Sequence, residues 1–458
     1  MALEKDEDVT TNPAGAGPNR KEFLRAAGVA TAGAAVATAA PGLARASSAR
    51  VVRDLAPVTV TISRGAVTTK NDWMGNVIAR FEKANPEIKV KSLFAPQSST
   101  DAHNQYVAQL SGGSSAVDIY QVDVIWPPEF AAAGWLLPVD KYITDSFKTD
   151  LLHGPRLGTT VNGKMYAIPY YTDVGMLFYR TDLLAKYKLA PPQTFTDMVA
   201  ASQTIIKQEK GVPYGVLWQG AQYEGLFCDI CELFWGNGGN ILENFTGPKV
   251  VINSPQNQVA LQFMVDTIHR YKIAPLAVTT YTEEETRHLF QNGKSLFLRN
   301  WPYVWPNGND KTQSLIAGKF ALKPMVHGPN GKPGAALGGW NMAINAKSQN
   351  PDAAAKVALG ITNAESQKYL AINAGNNPSL ASVYRDPEAI AANPYYKQYA
   401  SVVSNALPRP VSKYETKISD RVTRQVHAAL LGQVSVSAAL ANAQRDVEAL
   451  VGGGNSTP

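Results

Sequence analysis

Hydrophobic and polar residues alternate over Val58–Ile62, as they do in a strand with one buried face. A predicted helix follows, and its apolar positions share one face: Trp73, Val77, Ile78 and Phe81. Pro86 stops this helix, and alternation resumes over Ile88–Lys91. The pattern therefore predicts a strand, a helix and a second strand, a unit that is typical of parallel sheets covered by helices.

Capping signals mark further helix starts along the chain. At each of them an N-cap residue stands before a first-turn acid or a proline. The pairs are Thr194 with Asp197, Ser254 with Pro255, Thr282 with Glu285, Asn350 with Pro351, and Thr362 with Glu365. Strands and helices thus alternate, and we predict an α/β protein. The sequence has no fixed-period repeat, which excludes solenoids and propellers.

Length and composition narrow the class of protein further. The chain has 458 residues, of which 45% are hydrophobic and 17% are charged, so we expect a globular protein of two domains. Fibrous and disordered classes are excluded. The formal net charge of +6 is mild for this length, and no block of consecutive Lys or Arg suggests a nucleic-acid track.

The first 46 residues resemble an export signal. A polar stretch ends in Arg20–Arg25, a weakly apolar run covers Ala26–Ala40, and Ala44–Ala46 supplies a small-x-small cleavage site. The RKEFLR core is similar to a twin-arginine signal with lysine in the second arginine place, and ordinary Sec export stays open. No lipobox cysteine stands beside the cleavage site, so we predict a freely diffusing periplasmic protein.

Two cysteines, Cys228 and Cys231, lie in the segment GLFCDICELFWGNGG. Cys-x-x-Cys spacing occurs in redox motifs, but those motifs open a helix that follows a strand. This segment is typical of the body of an apolar helix that ends in glycines. Buried structural cysteines are therefore favoured over redox chemistry.

Other chemistries lack their motifs. The six histidines are scattered, without an HExxH pattern or paired spacing for zinc. The sequence contains no Gly-x-Ser-x-Gly elbow and no phosphate-binding GxxxxGK[ST] loop. We therefore predict no catalytic residues, no metal site and no cofactor.

The stretch Val117–Asp140 places a carboxylate and an indole close together. An apolar, strand-like run leads to Asp123 and Trp126, and Pro127 then opens a helix. In open α/β sheets, ligand sites form at the carboxyl ends of strands. This stretch closely resembles extracellular solute-binding protein family 1, which feeds sugar ABC transporters, and in particular its trehalose/maltose-binding branch.

The resemblance covers essentially the whole mature chain and implies the type II periplasmic binding protein fold. Tyr166–Arg180 is an extended run broken by Pro169 and Gly175, and it is similar to the family's first crossover between lobes. Family members return to the first lobe in the 320s to 330s and leave it near Gly375. Two discontinuous lobes around a hinge and a central cleft are implied: residues 51–170 with 330–373, and residues 171–325 with 376–458.

A sugar site needs two kinds of surface. Carboxylates, amides and guanidinium groups bond the hydroxyls, while aromatic faces pack against the C–H patches of the ring. The candidate ligand-binding residues are Asp123, Trp126, Tyr171, Asp173, Trp301, Tyr303, Gly338, Gly339, Trp340 and Arg409. The family resemblance assigns all of them to the cleft except Trp126 and Tyr171, which are added because they stand in the same short motifs.

Some of these residues have a structural alternative. Trp126 and the nearby Trp135 are also typical core residues, and Trp305 is equally suited to cap the second lobe. Asp123 and Asp173 are favoured for the cleft because acids in otherwise apolar runs need a reason to be there. The same preference holds for the tryptophans at positions 301 and 340.

Two segments depart from the family at hydroxyl-contacting positions. Residues 68–72 offer Thr, Thr, Lys, Asn and Asp where relatives have a glutamate. Residues 101–104 offer Asp, Ala, His and Asn where relatives have an arginine. These departures do not change the predicted class of ligand, but they leave the identity of the sugar open.

The resemblance implies a non-enzymatic protein that closes its lobes over an α-linked disaccharide such as trehalose or maltose. It would present this ligand to the permease subunits of an inner-membrane ABC importer, and we expect a monomer. A polyol, sucrose or glycerol phosphate is the alternative cargo, although no arginine cluster stands ready for a phosphate. The alternative of another class is a glycoside hydrolase with Asp123 and Asp173 as its two carboxylates.

Overall fold

Two main β-sheets, each packed against helices, make up the described part of the chain. The computed structural model describes residues 57–396, 399, 402–403 and 406–452. The predicted export signal at residues 1–46 lies outside these residues. The strands are β1 Val58–Arg64, β2 Ile88–Phe94, β3 Ile119–Asp123, β4 Thr160–Val161, β5 Lys164–Met165, β6 Ile168–Val174, β7 Met176–Arg180, β8 Tyr214–Leu217, β9 Ser295–Asn300, β10 Phe320–Lys323 and β11 Leu337–Ile344.

Helices connect these strands and cover both sheets. The α-helices are α1 Trp73–Ala84, α2 Ser99–Ser111, α3 Pro127–Ala132, α4 Asp145–Asp150, α5 His153–Thr159, α6 Thr181–Lys186, α7 Phe195–Gln208, α8 Glu224–Gly236, α9 Pro255–His269, α10 Glu283–Gln291, α11 Val304–Asn309, α12 Pro351–Thr362, α13 Ala364–Ala374, α14 Pro387–Ala392, α15 Glu415–Leu430 and α16 Val436–Gly452. Short 3₁₀ helices cover Glu243–Phe245, Leu276–Thr280 and Val383–Arg385. None of the helices in the described part of the chain has the length and apolar character of a membrane span.

The first sheet has the strand order β2-β1-β3-β11-β6. β1 runs parallel to β2 and β3, whereas β11 runs antiparallel to β3 and β6. Successive side chains of β3 point to opposite faces of this sheet. Ile119 packs in the cluster formed with α1 and α12, while Tyr120 and Val122 pack with α2 and α3. Helices therefore cover both faces of the first sheet.

The second sheet has the order β10-β7-β9-β8 and packs against a helical layer. In this layer α8 contacts α9 and α15, and α16 contacts α9 and α15. Every residue of α8 is buried, including Glu224, Asp229 and Glu232. The α/β class predicted from the sequence is confirmed, and so is the prediction that Cys228 and Cys231 lie buried in an apolar helix.

The chain passes from the first sheet to the second at Gly175. β6 ends at Val174 and β7 begins at Met176, so a single residue separates strands of different sheets. A Cβ atom at Gly175 would overlap the carboxylate of Glu232 and the guanidinium of Arg299. Glycine is therefore required at this crossing by close packing rather than by an unusual backbone angle.

Local sequence signals match the observed elements closely. The predicted unit of strand, helix and strand corresponds to β1, α1 and β2, and the predicted caps Thr194 and Ser254 accept bonds from backbone amides. The start predicted at Thr362 lies one residue later. There Asn363 caps α13 by accepting a bond from the Ser366 amide, because α12 itself extends to Thr362.

The segment after α13 stays next to the first sheet for some distance. Asn377 forms a β-bridge with Thr172 of β6, and Leu380 forms one with Leu151. Further along, Leu407 bridges Ala336 beside β11. The residue limits of the two lobes stay a prediction.

Candidate functional site

A cleft of about 320 Å³ lies at the carboxyl ends of β1, β3 and β6 and at the start of β11. Candidates from distant parts of the sequence meet in this cleft because these strand ends share one edge of the sheet. The lining includes nine of the ten residues predicted from the sequence: Asp123, Tyr171, Asp173, Trp301, Tyr303, Gly338, Gly339, Trp340 and Arg409. Trp126 is the exception.

Trp126 lies in the core behind the cleft. Its side chain is 1% exposed and meets the Trp340 ring edge to face, with the two centroids 5.5 Å apart. Tyr106 and Phe130 pack on its other sides. The chain turns into α3 directly after Asp123, and this turn directs the indole toward α2 and α3. The structure thus supports the core alternative, in which Trp126 backs Trp340 and leaves the ligand space to it.

Trp340 lies on β11, between β3 and β6, and these three strands form the cleft floor. In register it pairs with Asp123 on β3 and with Tyr171 on β6. The two glycines before it allow close packing. A Cβ at Gly339, where φ is 126°, would stand 2.5 Å from the Tyr171 carbonyl oxygen, and a Cβ at Gly338 would stand 3.0 Å from the Trp301 ring. The glycines therefore bring the two indoles onto the same part of the floor.

Buried charges hold Trp301 in place from behind. The Arg299 guanidinium lies 4.2 Å from the centroid of the Trp301 ring, a cation–π contact, and is itself bound by two carboxylates. Asp229 lies 2.7 Å from it and Glu232 lies 2.5 Å away. The Trp301 indole nitrogen donates to Glu283 at 3.4 Å. Protein contacts therefore hold both the ring face and the nitrogen edge of the Trp301 indole.

Arg409 connects the first sheet to the helical layer that packs against the second sheet. Its guanidinium donates to Asp123 at 2.8 Å and to Glu224 at 2.6 Å, and its side chain is 1% exposed. Ser419 donates to the other carboxylate oxygen of Glu224. Asp123 therefore faces the cleft with one oxygen already oriented by Arg409.

Glu415, at the start of α15, lies in this same cluster without a partner. It is buried, and neither of its carboxylate oxygens accepts a hydrogen bond within the described residues. Burial raises the pKa of Glu415 well above its ordinary value, and the charge of Glu224 raises it further. We infer that Glu415 keeps its proton in the folded protein while Asp123 and Glu224 share the charge of Arg409.

This inference predicts a pH-dependent difference between the wild type and Glu415→Gln. Because the pKa of Glu415 is raised on folding, its stabilising contribution is full below the unfolded value, near 4.5, and is lost as the pH rises through the folded value. The amide cannot ionise, so the variant escapes this loss. We expect equal melting temperatures at pH 4 and a higher melting temperature for the variant at pH 8, measured by calorimetry. A variant that melts lower at pH 8 would contradict a protonated Glu415.

Asp173 accepts one side-chain hydrogen bond within the described part of the chain. Burial raises its pKa well above the ordinary value, and two groups offset this in part: the Asn377 amide, which donates to it at 3.4 Å, and the charge of Arg299. The side chain is half-buried and lines the cleft. The carboxyl group of Asp173 is therefore well placed to form hydrogen bonds to a ligand.

Tyr303 belongs to a chain of contacts that crosses the cleft. Its hydroxyl donates to Glu284 at 2.5 Å, and Glu284 is also bound by Arg287. Arg287 in turn donates to the backbone carbonyl of Thr68 at 3.4 Å, in the loop after β1. This chain links a wall of the cleft formed by α10 to the loop on the opposite side.

The segments that depart from the family occupy different places. Thr68, Thr69, Asn71 and Asp72 line the cleft, but Asp72 is held by Arg64 in a two-pronged ion pair of 2.5 and 2.9 Å. Of residues 101–104, Ala102 lines the cleft. His103 is buried beneath and contacts Glu129 at 2.9 Å. The loop after β1 therefore supplies polar groups to the cleft, whereas the start of α2 supplies a small apolar surface.

Several lining residues were not predicted. They include Trp73, Tyr223, Glu224, Glu283 and Asn376. The sequence did mark Glu283, because it follows the predicted cap Thr282 at a helix start. Acidic residues are common in the first turn of a helix, so no ligand role was inferred for it. Among the described residues, no group of three or more His, Cys, Asp or Glu side chains is arranged to hold a metal ion.

Comparison with known proteins agrees with this geometry. Residues 66–368 match the family described as "Bacterial extracellular solute-binding protein". A protein of Deinococcus radiodurans named "Probable ABC transporter-binding protein" is 38% identical over 375 residues, which cover 80% of this chain and 87% of that protein. A "Mannitol-binding protein" of Pseudomonas aeruginosa is 26% identical and covers 84% of this chain and 92% of its own length.

A solved structure supports both the fold and the relationship. "Maltose bound T. maritima MalE3" superposes with a TM-score of 0.82 at 40% sequence identity, covering 86% of this chain and all of that chain. Its likeness confirms the fold of sugar-binding proteins in which sheets and helices form two lobes. The chain therefore belongs to the family of bacterial extracellular solute-binding proteins.

Proposed function

We propose that this protein binds an α-linked disaccharide, trehalose or maltose first, by closing two lobes over it, and delivers it to a permease. The observation that carries the proposal is the meeting of indole rings and carboxyl groups in one cleft, with Trp301, Trp340, Asp123 and Asp173 all on its lining. The structure of T. maritima MalE3, 40% identical to this chain, is a maltose-bound form. The cleft volume of about 320 Å³ lies at the small end of the range for ligand pockets, which suits a short saccharide.

Different lining residues are suited to different parts of a sugar. Trp340 and Trp301 offer rigid rings for the C–H faces of the sugar, since both are braced from behind. Asp123 and Arg409 form an ion pair whose geometry is already fixed and which can bind adjacent hydroxyls. Asp173 offers a carboxyl group that can form further hydrogen bonds. Because little of this set has to be ordered on binding, the ligand's binding energy is available to stabilise the closed lobes.

Contacts across the cleft support closure as the way of binding. The Glu224 amide at the start of α8 donates to the Thr100 hydroxyl of α2 at 3.1 Å, and the Thr416 hydroxyl of α15 donates to Glu129 of α3 at 3.0 Å. An opening motion would break both hydrogen bonds, as expected of a binding protein whose lobes close by hinge motion.

Binding without turnover is part of the proposal. A glycoside hydrolase needs two carboxyl groups free to act on opposite sides of the glycosidic bond. Asp123 is bound to Arg409 at 2.8 Å, which keeps it from acting as an unrestrained nucleophile or base. Asp123 and Asp173 therefore do not form the pair of free carboxyl groups that the hydrolase alternative requires of them.

A ligand panel tests the proposal. We expect trehalose or maltose to raise the melting temperature most, by an amount equivalent to about 2.7 kcal/mol at one hundred times the dissociation constant. Mannitol, sucrose and glycerol phosphate are the competitors, and mannitol enters because one relative is named for binding it. A larger shift with mannitol would replace the disaccharide by a polyol. Release of nitrophenol from nitrophenyl glycosides would show an enzyme instead.

Membership of the extracellular family implies an exported protein. We propose further that residues 1–46 are removed near Ala46 and that the mature chain works as a periplasmic monomer. The small-x-small sequence Ala44–Ala46 supports the cleavage position. Amino-terminal sequencing of the exported protein checks it, and a mature chain that begins elsewhere would move the site.

A further inference from the structure

The cleft is acidic, although the chain as a whole is basic. The formal net charge is +6, yet among the described residues that line the cleft six are acidic and two are basic. The acids are Asp72, Asp123, Asp173, Glu224, Glu283 and Glu284. An uncharged saccharide needs hydrogen-bond acceptors but no excess of negative charge. The charge of the cleft therefore bears on which saccharide is bound.

Four of these acids are paired with arginine, and two are not. The pairs are Asp72 with Arg64, Glu284 with Arg287, and both Asp123 and Glu224 with Arg409. Asp173 accepts a hydrogen bond from the Asn377 amide at 3.4 Å, and Glu283 accepts one from the Trp301 indole at 3.4 Å. Both donors are uncharged. Within the described residues, Asp173 and Glu283 therefore lack a counter-charge at bonding distance.

Asp173 and Glu283 both lie beside the Trp301 indole. A Cβ atom at Gly338 would stand 3.0 Å from the six-membered ring of Trp301 and 3.4 Å from the Cβ atom of Asp173, so these two side chains are neighbours. Glu283 contacts the nitrogen of the same indole. We call Asp173 and Glu283 the Trp301 acids. They come from different parts of the fold, β6 and the first turn of α10, and meet at one ring.

Arg299 does not neutralise the Trp301 acids. Its guanidinium lies behind the Trp301 ring, 4.2 Å from the centroid, and bonds Asp229 and Glu232 instead. Burial raises the pKa of both Trp301 acids, and the charge of Arg299 offsets this rise only in part. The ionised form of each acid is therefore costly without a counter-charge. A positively charged group on the ligand would offset that cost, and a neutral hydroxyl would offset less of it.

A buried hydroxyl beside Glu283 also lacks a partner. Tyr223 is 7% exposed and lines the cleft, and its hydroxyl makes no hydrogen bond within the described residues. Burial raises the pKa of Tyr223, and the charge of Glu283 raises it further. Native proteins rarely leave a buried hydroxyl unsatisfied, because the group has lost its bonds to water. Tyr223 therefore indicates that a polar group of the ligand lies next to Glu283.

A protonated amino group suits this part of the cleft. It carries three N–H donors and no acceptor, as a lysine ammonium does. The Trp301 acids and the Tyr223 hydroxyl supply acceptors for such donors, and the indole supplies a flat surface for the C–H groups next to the nitrogen. A metal ion is a poorer occupant, because the described residues hold no grouping of three or more His, Cys, Asp or Glu side chains for it.

We propose that the Trp301 acids bind the protonated amine of an amino sugar, so that the protein prefers a saccharide carrying an amino group to its neutral parent. The inference rests on the proposed function, since the amine belongs to a saccharide held in the same cleft, and it goes further by giving the ligand a charge. The amine replaces one hydroxyl on the sugar ring that packs on Trp301. Asp173, Glu283 and Tyr223 accept hydrogen bonds from it or from the adjacent hydroxyls.

Titration calorimetry at pH 7 tests the proposal with defined sugars. The probes are trehalose, maltose and their amino-deoxy derivatives, in which one amino group replaces a hydroxyl at each ring position in turn. Hydrogen bonds to charged partners are roughly twice as strong as neutral ones, so we expect one derivative to bind about tenfold more tightly than its parent. Derivatives whose amine lies away from the Trp301 acids should bind no more tightly than the parent.

Charge-removing variants locate the effect. In the double variant Asp173→Asn with Glu283→Gln, the ratio of the two affinities, amino derivative to parent, should fall from about tenfold to within about twofold, whatever happens to each affinity by itself. Glu285→Gln is the matched control, because Glu285 lies in the same helix and does not line the cleft. Glutamine can still accept the bond from the Thr282 amide, so this control should keep the tenfold ratio.

The comparison on the wild type needs no variant and can refute the proposal by itself. If neutral saccharides bind but no amino derivative binds more tightly than its parent, the assignment of the amine is wrong and the proposed function stands. A preference that persists in the folded double variant would also overturn the assignment. If the wild type binds neither the neutral nor the amino saccharides, the function and the inference fall together.

Discussion

Replacing Arg409 with methionine is expected to lower the free energy of unfolding by about 3–5 kcal/mol, as measured by urea denaturation at pH 7. The guanidinium is buried and bonds Asp123 at 2.8 Å and Glu224 at 2.6 Å. Methionine fills similar volume but leaves two buried carboxylates without a counter-charge. Breaking a buried pair in this way costs more than the pair itself contributes, because the remaining charges stay desolvated.

Two controls identify the cause of this loss. Arg424→Met removes an exposed arginine of α15 that pairs with Asp420 on the same helix, and it should cost under about 0.5 kcal/mol. Adding Asp123→Asn and Glu224→Gln to Arg409→Met should restore much of the stability, since no buried charge is then left alone. A cost below about 1 kcal/mol for Arg409→Met by itself would mean that the two carboxyls are already protonated in the wild type.

Trp340→Ala is expected to weaken saccharide binding at least about 30-fold, on the roughly 2 kcal/mol or more that a buried aromatic anchor contributes. The ring lies at the centre of the cleft floor and is supported by Trp126 at 5.5 Å. Alanine removes the stacking surface and also exposes the Trp126 edge to water. Titration calorimetry with the tightest ligand of the panel measures the effect.

Trp135→Ala is the matched control for this variant. Trp135 packs on Phe130 with centroids 5.5 Å apart and does not line the cleft, so its loss should lower stability and leave affinity within about twofold. Should folded Trp340→Ala bind as tightly as the wild type, the indole would have no place in the ligand site.

Local patterns in the sequence were sufficient for the elements, whereas most of the cleft residues came from the resemblance to the solute-binding family. Alternation predicted β1, helical spacing predicted α1, and capping pairs predicted the starts of helices such as α7 and α9. The end of an apolar run indicated Asp123, while residues such as Asp173, Trp301 and Arg409 were assigned to the cleft by the resemblance. A property that depends on a few neighbouring residues can be read from those residues alone.

Contacts between distant residues could not be predicted in this way. Arg409 is 286 positions from Asp123 and 185 from Glu224, and nothing beside Glu224 in the apolar segment of α8 indicates a partner. Trp126 was ambiguous for a related reason. Whether an indole three residues beyond Asp123 faces the cleft or the core depends on the turn into α3, which apolar spacing does not specify.

The pairing of Trp126 with Trp340 has a consequence for how ligand preference can change over evolutionary time. Mutating the floor indole disturbs a core ring and so carries a penalty in folding, whereas Asn71 and Asn376 lie at the margin of the cleft, where exchanges disturb few neighbours. Descendants of an ancestral gene can therefore acquire new cargo most readily at the margin while the floor persists. Engineers seeking altered selectivity would diversify these two positions first.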